Sequence, residues 1–146
     1  PEFYREVFKC LGDAPMVMLI FDFGLVVLIW IVQLIVYPGF AYYKKEDLLV
    51  WHKKYTIYIT IIVLPLMAGQ LAFHGLDLFD SYSHQKALIG FMIIACWLIT
   101  FAYAVPLHRR IDQDNEMELA VKSLVKVNWY RTILWSLVFV WQWVSF

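Results

Sequence analysis

The sequence predicts an all-α protein: a bundle of four membrane-crossing helices with both chain termini on the non-cytoplasmic side. Three observations lead there. First, the hydrophobic fraction is 62%, well above the roughly 45–50% usual for soluble domains, and only 16% of residues are charged. A single domain of 146 residues cannot hide that much apolar surface from water. Second, four apolar runs reach the length of about 20 helical residues that crosses a bilayer. Third, the polar residues inside those runs recur on one face of each helix.

The first run covers about 16–37, "MVMLIFDFGLVVLIWIVQLIVY". Its length, its internal Asp22 and its lack of a small-residue cleavage site argue against a secretory signal. The second covers about 50–73 and contains Pro65, which a membrane helix tolerates when its neighbours satisfy the freed carbonyl. The third covers about 87–107 and the fourth about 127–146. Met117, Ala120, Val121, Leu124 and Val125 continue the helical spacing upstream, so the last helix is expected to start before its apolar run, with Asp114 or Asn115 as its cap. Pro38-Gly39 reads as a turn after the first run. No repeat, linker or low-complexity segment divides the chain, so 1–146 is read as one integral membrane domain. Pro1 stands where a starting methionine would, which leaves the true N-terminus open.

Charge sets the expected orientation. The connectors after the first and third runs, with the adjoining helix ends, carry Lys44, Lys45, Lys53, Lys54, Arg109, Arg110, Lys122, Lys126 and Arg131, nine of the twelve Lys and Arg. Arg5, Lys9 and Lys86 fall on the other side. The positive-inside rule makes the richer side cytoplasmic, in a multi-pass protein of the inner (plasma) membrane with the lipid bilayer as its main partner. A net charge of zero gives no argument for nucleic-acid binding. Cys10 and Cys96 are isolated and form neither a disulfide framework nor a metal motif.

Polar side chains inside a membrane are expensive, so their positions carry information. Asp22, Gln33 and Tyr37 lie within about 40° of one another on a helical wheel. His52 and Gln70 are five whole turns apart, and Asn128, Arg131, Thr132, Trp135 and Gln142 share one side of the last helix. Depth sorts these residues into two layers. His52 opens the second run and His108 closes the third, at the level of Gln33, Tyr37, Asn128 and Arg131. The second layer holds Asp22, Gln70, His74 and Gln142. His84 reads as a solvated loop residue. Taken singly, His52 in "WHKKYT" and His108 in "VPLHRRID" read as interfacial anchors. Two histidines at one depth on neighbouring helices point instead to a polar pocket, towards which Pro106 turns the helix end. Asp22 must be protonated, paired or wetted, and His74 is its expected partner. The tryptophans and phenylalanines read as belt and packing.

The string "QLIVYPGF…WHKKY…VPLHRRID…VNWYRTILW" resembles the uncharacterised small four-helix integral membrane proteins of bacteria, which are distantly similar to anthrone-oxygenase-like membrane proteins. The resemblance runs from about Gln33 to Trp135 and rests most on "VPLH" and "NWYRT". Tyr37, Pro38, His52, Pro106, His108, Asn128, Trp129, Arg131, Thr132 and Trp135 match the family pattern. Val36 and Tyr55 stand where it has histidines, so a four-histidine metal cage is not complete.

Three functions stay open. In the first, a redox or oxygenase-type enzyme acts on an apolar aromatic or quinone-like molecule. His52 and His108 would be its acid–base groups, with Arg131 catalytic beside them. Arg131 and Asn128 would hold an oxyanion or phenolate, and Gln33, Tyr37, Thr132 and Trp135 would line the ligand site. In the second, an accessory subunit binds haem b through His52 and His108. In the third, a non-catalytic or ligand-binding subunit uses its polar layer only to fix helix register. A homo-oligomer or a larger membrane complex is compatible with each. A channel or transporter is disfavoured by the missing repeat. The sequence carries no P-loop, Cys-x-x-Cys, His-Glu-x-x-His or Gly-x-Ser-x-Gly motif.

Overall fold

The computed structural model describes residues 14–145, which form four helices joined by short turns and no strands. Helix α1 spans Ala14–Tyr42, α2 spans Lys45–Asp80 and α3 spans His84–Asp112; α4 spans Met117–Ser145. Arg5, Lys9 and Cys10 lie outside the described residues. The helices form a ring in which α1 packs on α2 and α4, and α3 packs on the same two.

Three helices, α1 to α3, are long and apolar enough to cross a membrane. Their outer faces carry large exposed apolar side chains such as Ile20, Ile57, Ile61, Phe91 and Leu98, the surface expected of a protein of membrane type. Helix α4 is as long but less apolar. Asn128, Arg131 and Gln142 lower its hydropathy, and all three are buried in the bundle.

Every helix outruns its apolar run. Pro38-Gly39 does not make the expected turn: the chain stays helical through both residues to Tyr42, and only Tyr43 and Lys44 are extended. What permits this is a wide π turn over Val32–Val36, closed by the Tyr37 N–H on the Val32 carbonyl. The wider turn moves the carbonyl that a proline ring would strike in a regular helix. Helix α3 repeats the device at the same offset. A π turn over Thr100–Ala104, closed by the Val105 N–H on the Thr100 carbonyl, precedes Pro106. Pro106 therefore does not break α3; it sits inside a helix that continues to Asp112.

The Ser81–Ser83 turn is capped by the Ser83 hydroxyl, which accepts from the Lys86 N–H. His84 is exposed, as expected, but it is the first helical residue of α3 rather than a loop residue. At the other end, Asp114 and Glu116 take left-handed backbone angles of 55° and 49° in φ. Lys45 pairs with Asp114 at 2.7 Å and Arg110 with Glu116, which clips the α3–α4 turn to α2 and to α3 itself. Helix α4 starts at Met117, so neither Asp114 nor Asn115 caps it; Glu116 stands directly before it.

Candidate functional site

The π turn of α1 brings Tyr37 inward, and that of α3 does the same for His108. Their contact opens a chain of hydrogen bonds. Tyr37 Oη lies 3.0 Å from His108 Nε2. His108 Nδ1 lies 2.9 Å from His52 Nε2, and His52 Nδ1 lies 2.7 Å from Asp112 Oδ1. One set of tautomers satisfies all three contacts. The carboxylate accepts from His52 Nδ1–H, His52 Nε2 accepts from His108 Nδ1–H, and His108 Nε2 accepts from the tyrosine hydroxyl. The donors then all point the same way, from Tyr37 towards Asp112. Tyr37 and His52 are buried, while the Asp112 side chain is 28% exposed at the end of α3. A proton released at Tyr37 thus has a hydrogen-bonded path to the surface.

Aromatic rings hold this chain in place. Phe40 meets the His52 ring edge-on at 5.3 Å and meets Tyr55 at the same distance. His52 is fully buried beneath them, so it is not the membrane-edge anchor that "WHKKYT" suggested; Trp51, Lys53 and Lys54 are the exposed members of that string. His108 likewise points inward, while Arg109 remains exposed.

Beside the chain lies a cavity of about 220 Å³, whose wall includes Tyr37, Tyr55, His108, Asp112, Arg131 and Trp135. Two buried polar atoms on that wall have no hydrogen-bond partner: the Tyr55 hydroxyl and Arg131 Nε. Arg131 is 5% exposed. Its guanidinium donates to Asn128 Oδ1 at 3.3 Å and lies over the Trp135 ring, 4.9 Å from the centroid. Among the described residues it has no carboxylate partner. A buried cation with a spare donor, facing a cavity, suits an anionic or strongly accepting oxygen.

The remaining expected residues separate into two groups behind this wall. Gln33 Oε1 accepts from Asn128 Nδ2 at 2.9 Å, and Gln33 Nε2 donates to the Val125 carbonyl at 3.3 Å. The Thr132 hydroxyl donates to the Asn128 carbonyl at 2.9 Å. Gln33, Asn128 and Thr132 therefore join α1 to α4 and lie outside the cavity wall; of the three, only Asn128 supports a wall residue, Arg131. Deeper in the bundle, Asp22 accepts from Gln70 Nε2 at 2.7 Å and meets His74 Nε2 at 3.0 Å. Trp135 joins the layers, since its indole N–H donates to Gln70 Oε1 at 3.1 Å while its ring carries Arg131. Gln142 is buried two turns further along α4.

Asp112 and Tyr55 are the residues that sequence reasoning missed. Asp112 follows His108 by four residues, one helical turn on the same face, and that spacing was a readable signal. Tyr55 flanks the His52–Gln70 stripe in the sequence and departs from the family pattern, but neither signal marks it as a site residue.

Axial haem ligation by His52 and His108 does not fit this geometry. Both nitrogens of each ring are already engaged. Two metal–nitrogen bonds of about 2.0–2.1 Å on opposite sides of an ion would also hold the nitrogens about 4 Å apart, against the 2.9 Å between these rings. Among the described residues, no cluster of three or more His, Cys, Asp or Glu is arranged to hold a metal ion. Compared with family models, curated proteins and solved structures, the chain matches none of them.

Proposed function

We propose that the chain crosses the plasma membrane four times, with both termini outside, and binds an apolar aromatic or quinone-like molecule through an ionisable hydroxyl. Arg131 Nε and the Tyr55 hydroxyl receive that oxygen. Tyr37 takes its proton and passes its own to His108, and the relay ends on Asp112 at the cytoplasmic side. Arg131 balances the phenolate left behind. A phenolate gives up electrons more readily than a phenol, so this step suits redox or oxygenase-type chemistry on such a molecule. The observation that carries this reading is the meeting, on one cavity wall, of two orphan buried groups and the end of a one-directional hydrogen-bond chain.

Purified protein in lipid nanodiscs, titrated with 4-nitrophenol, tests it. The coloured phenolate reports ionisation directly. Bound probe should ionise at a pH at least one unit lower than free probe, equivalent to about 1.4 kcal/mol of preference for the anion, and Arg131→Gln should remove the shift. Absence of binding, or binding without a shift, overturns the reading.

A further inference from the structure

We infer that the natural ligand is a membrane-dissolved phenol or hydroquinone carrying an alkyl tail, and that it reaches the pocket sideways between α2 and α3. This rests on the proposed function and adds the ligand's class and its route.

Both helices line the cavity, and exposed Thr60 of α2 is part of its wall. Thr56, Ile59, Thr60 and Val63 line it from α2, and Thr100, Ala104 and Val105 from α3. The α3 π turn packs on α4 rather than on α2, so the two helices part at this level. The gap is rimmed by three threonines whose hydroxyls are already used. Thr56 donates to the Lys53 carbonyl at 3.1 Å, Thr60 to the Thr56 carbonyl at 2.6 Å, and Thr100 to the Cys96 carbonyl at 2.7 Å. With the hydroxyls turned back on their own helices, the methyl groups remain to line the opening. Around it, Ile57, Tyr58, Ile61, Phe101 and Tyr103 are exposed, so the gap opens onto an apolar belt.

Inside, Leu28, Ile29 and Val32 of α1 keep most of the wall apolar, and the polar groups are few and local. The cavity ends on the unpartnered Arg131 Nε and Tyr55 hydroxyl. An occupant must therefore place a polar head deep and an apolar part at the rim. Size narrows the choice. A volume of about 220 Å³ is below the roughly 300–1,000 Å³ of pockets that enclose whole drug-sized ligands. It suits one substituted ring, with any tail left in the gap and in the surrounding lipid.

Two probes test this in phosphatidylcholine nanodiscs: 4-nitrophenol, and 4-nitrophenol with a decyl chain beside the nitro group, at the end of the ring away from the hydroxyl. Empty nanodiscs correct for partitioning. Wild-type protein should bind the decyl probe at least tenfold more tightly than 4-nitrophenol. Thr60→Trp, alone and combined with Thr56→Phe, should reduce that preference at least tenfold by filling the rim. Thr60 is exposed, so the single variant should keep the fold. If both probes bind wild type but the preference is absent, or survives both rim variants, the sideways route is wrong and the pocket reading stands. Equal loss of both probes in the two variants also overturns the route. If neither probe binds wild type, the pocket reading itself falls, and this inference falls with it.

Discussion

His52 Nε2 lies 2.9 Å from His108 Nδ1, and each ring spends its other nitrogen on a different helix or helix end. Tyr37 of α1, His52 of α2 and two residues of α3 are thereby tied into one line. The sense of that line depends on Asp112, the only carboxylate in it.

Asp112→Asn should keep the line's shape and remove its proton acceptor. On mixing protein with 4-nitrophenol in a stopped-flow instrument, phenolate should form at least tenfold more slowly than in wild type. The loss of stability should be about 1 kcal/mol, the scale of one hydrogen bond. Equal rates in variant and wild type would show that the proton leaves by another route.

Arg131 should trade stability for binding. Taking a guanidinium out of water carries a penalty of several kcal/mol on general grounds, and no carboxylate among the described residues offsets it. Arg131→Met keeps much of the volume over Trp135 and removes the charge. We expect a higher melting temperature in detergent together with loss of 4-nitrophenol ionisation. A lower melting temperature would mean that Asn128 and the Trp135 ring already compensate the cation.

Asp22 should behave as a buried acceptor. Asp22→Asn retains a carbonyl for the Gln70 amide, whereas Asp22→Leu strands both Gln70 and His74. The leucine variant should lose about 1–3 kcal/mol more than the asparagine variant, read by thermal or denaturant unfolding in detergent. Equal stabilities would remove Asp22 from any structural role.

The Phe21 ring of α1 lies directly against Gly69 of α2. A Cβ built there would lie 2.2 Å from Phe21 Cε1, and the Phe21 ring stacks on Phe73 at 5.3 Å. Gly69→Ala should therefore destabilise by about 1–3 kcal/mol. At Gly24 the nearest atom is a flexible Leu66 methyl at 3.4 Å, so Gly24→Ala should be nearly neutral. Phe21→Leu should restore most of what Gly69→Ala loses. If Gly69→Ala alone is neutral, the Phe21 ring has free room to move.

The proposed orientation predicts a labelling pattern in intact cells. Cysteines at Lys45 and Gln113 should resist an impermeant thiol reagent, and a cysteine at Ser83 should react. The opposite pattern would invert the protein in the membrane and place Asp112 outside.

Much of this was legible in the sequence because lipid leaves so few places for polar groups. The four helices, the meeting of His52 with His108, and the pairing of Asp22 with His74 all follow from apolar length and helical period. The helix ends did not follow, because Pro38 and Pro106 read as breaks, and sequence period does not show that a π turn upstream lets the helix pass through a proline. The division of the polar residues was hidden for a related reason. Gln33, Asn128 and Thr132 sit at the pocket's depth but bond to one another, and only side-chain directions distinguish a wall residue from one behind it. Asp112 was missed because it ends a charged string that looked like ordinary membrane-edge decoration.

The hydrogen bond from Trp135 to Gln70 has a consequence for energy conservation. Proton-carrying groups lie on both sides of it, with Tyr37, His108, His52 and Asp112 on one side and Asp22 and His74 on the other. An indole N–H has no lone pair with which to accept a proton, and the Gln70 amide has no ionisable proton to pass on. The pair therefore insulates one titratable cluster from the other. In the membrane orientation proposed above, such a plug would keep protons from passing between the two clusters, and the cavity would share the acidity of the Asp112 side.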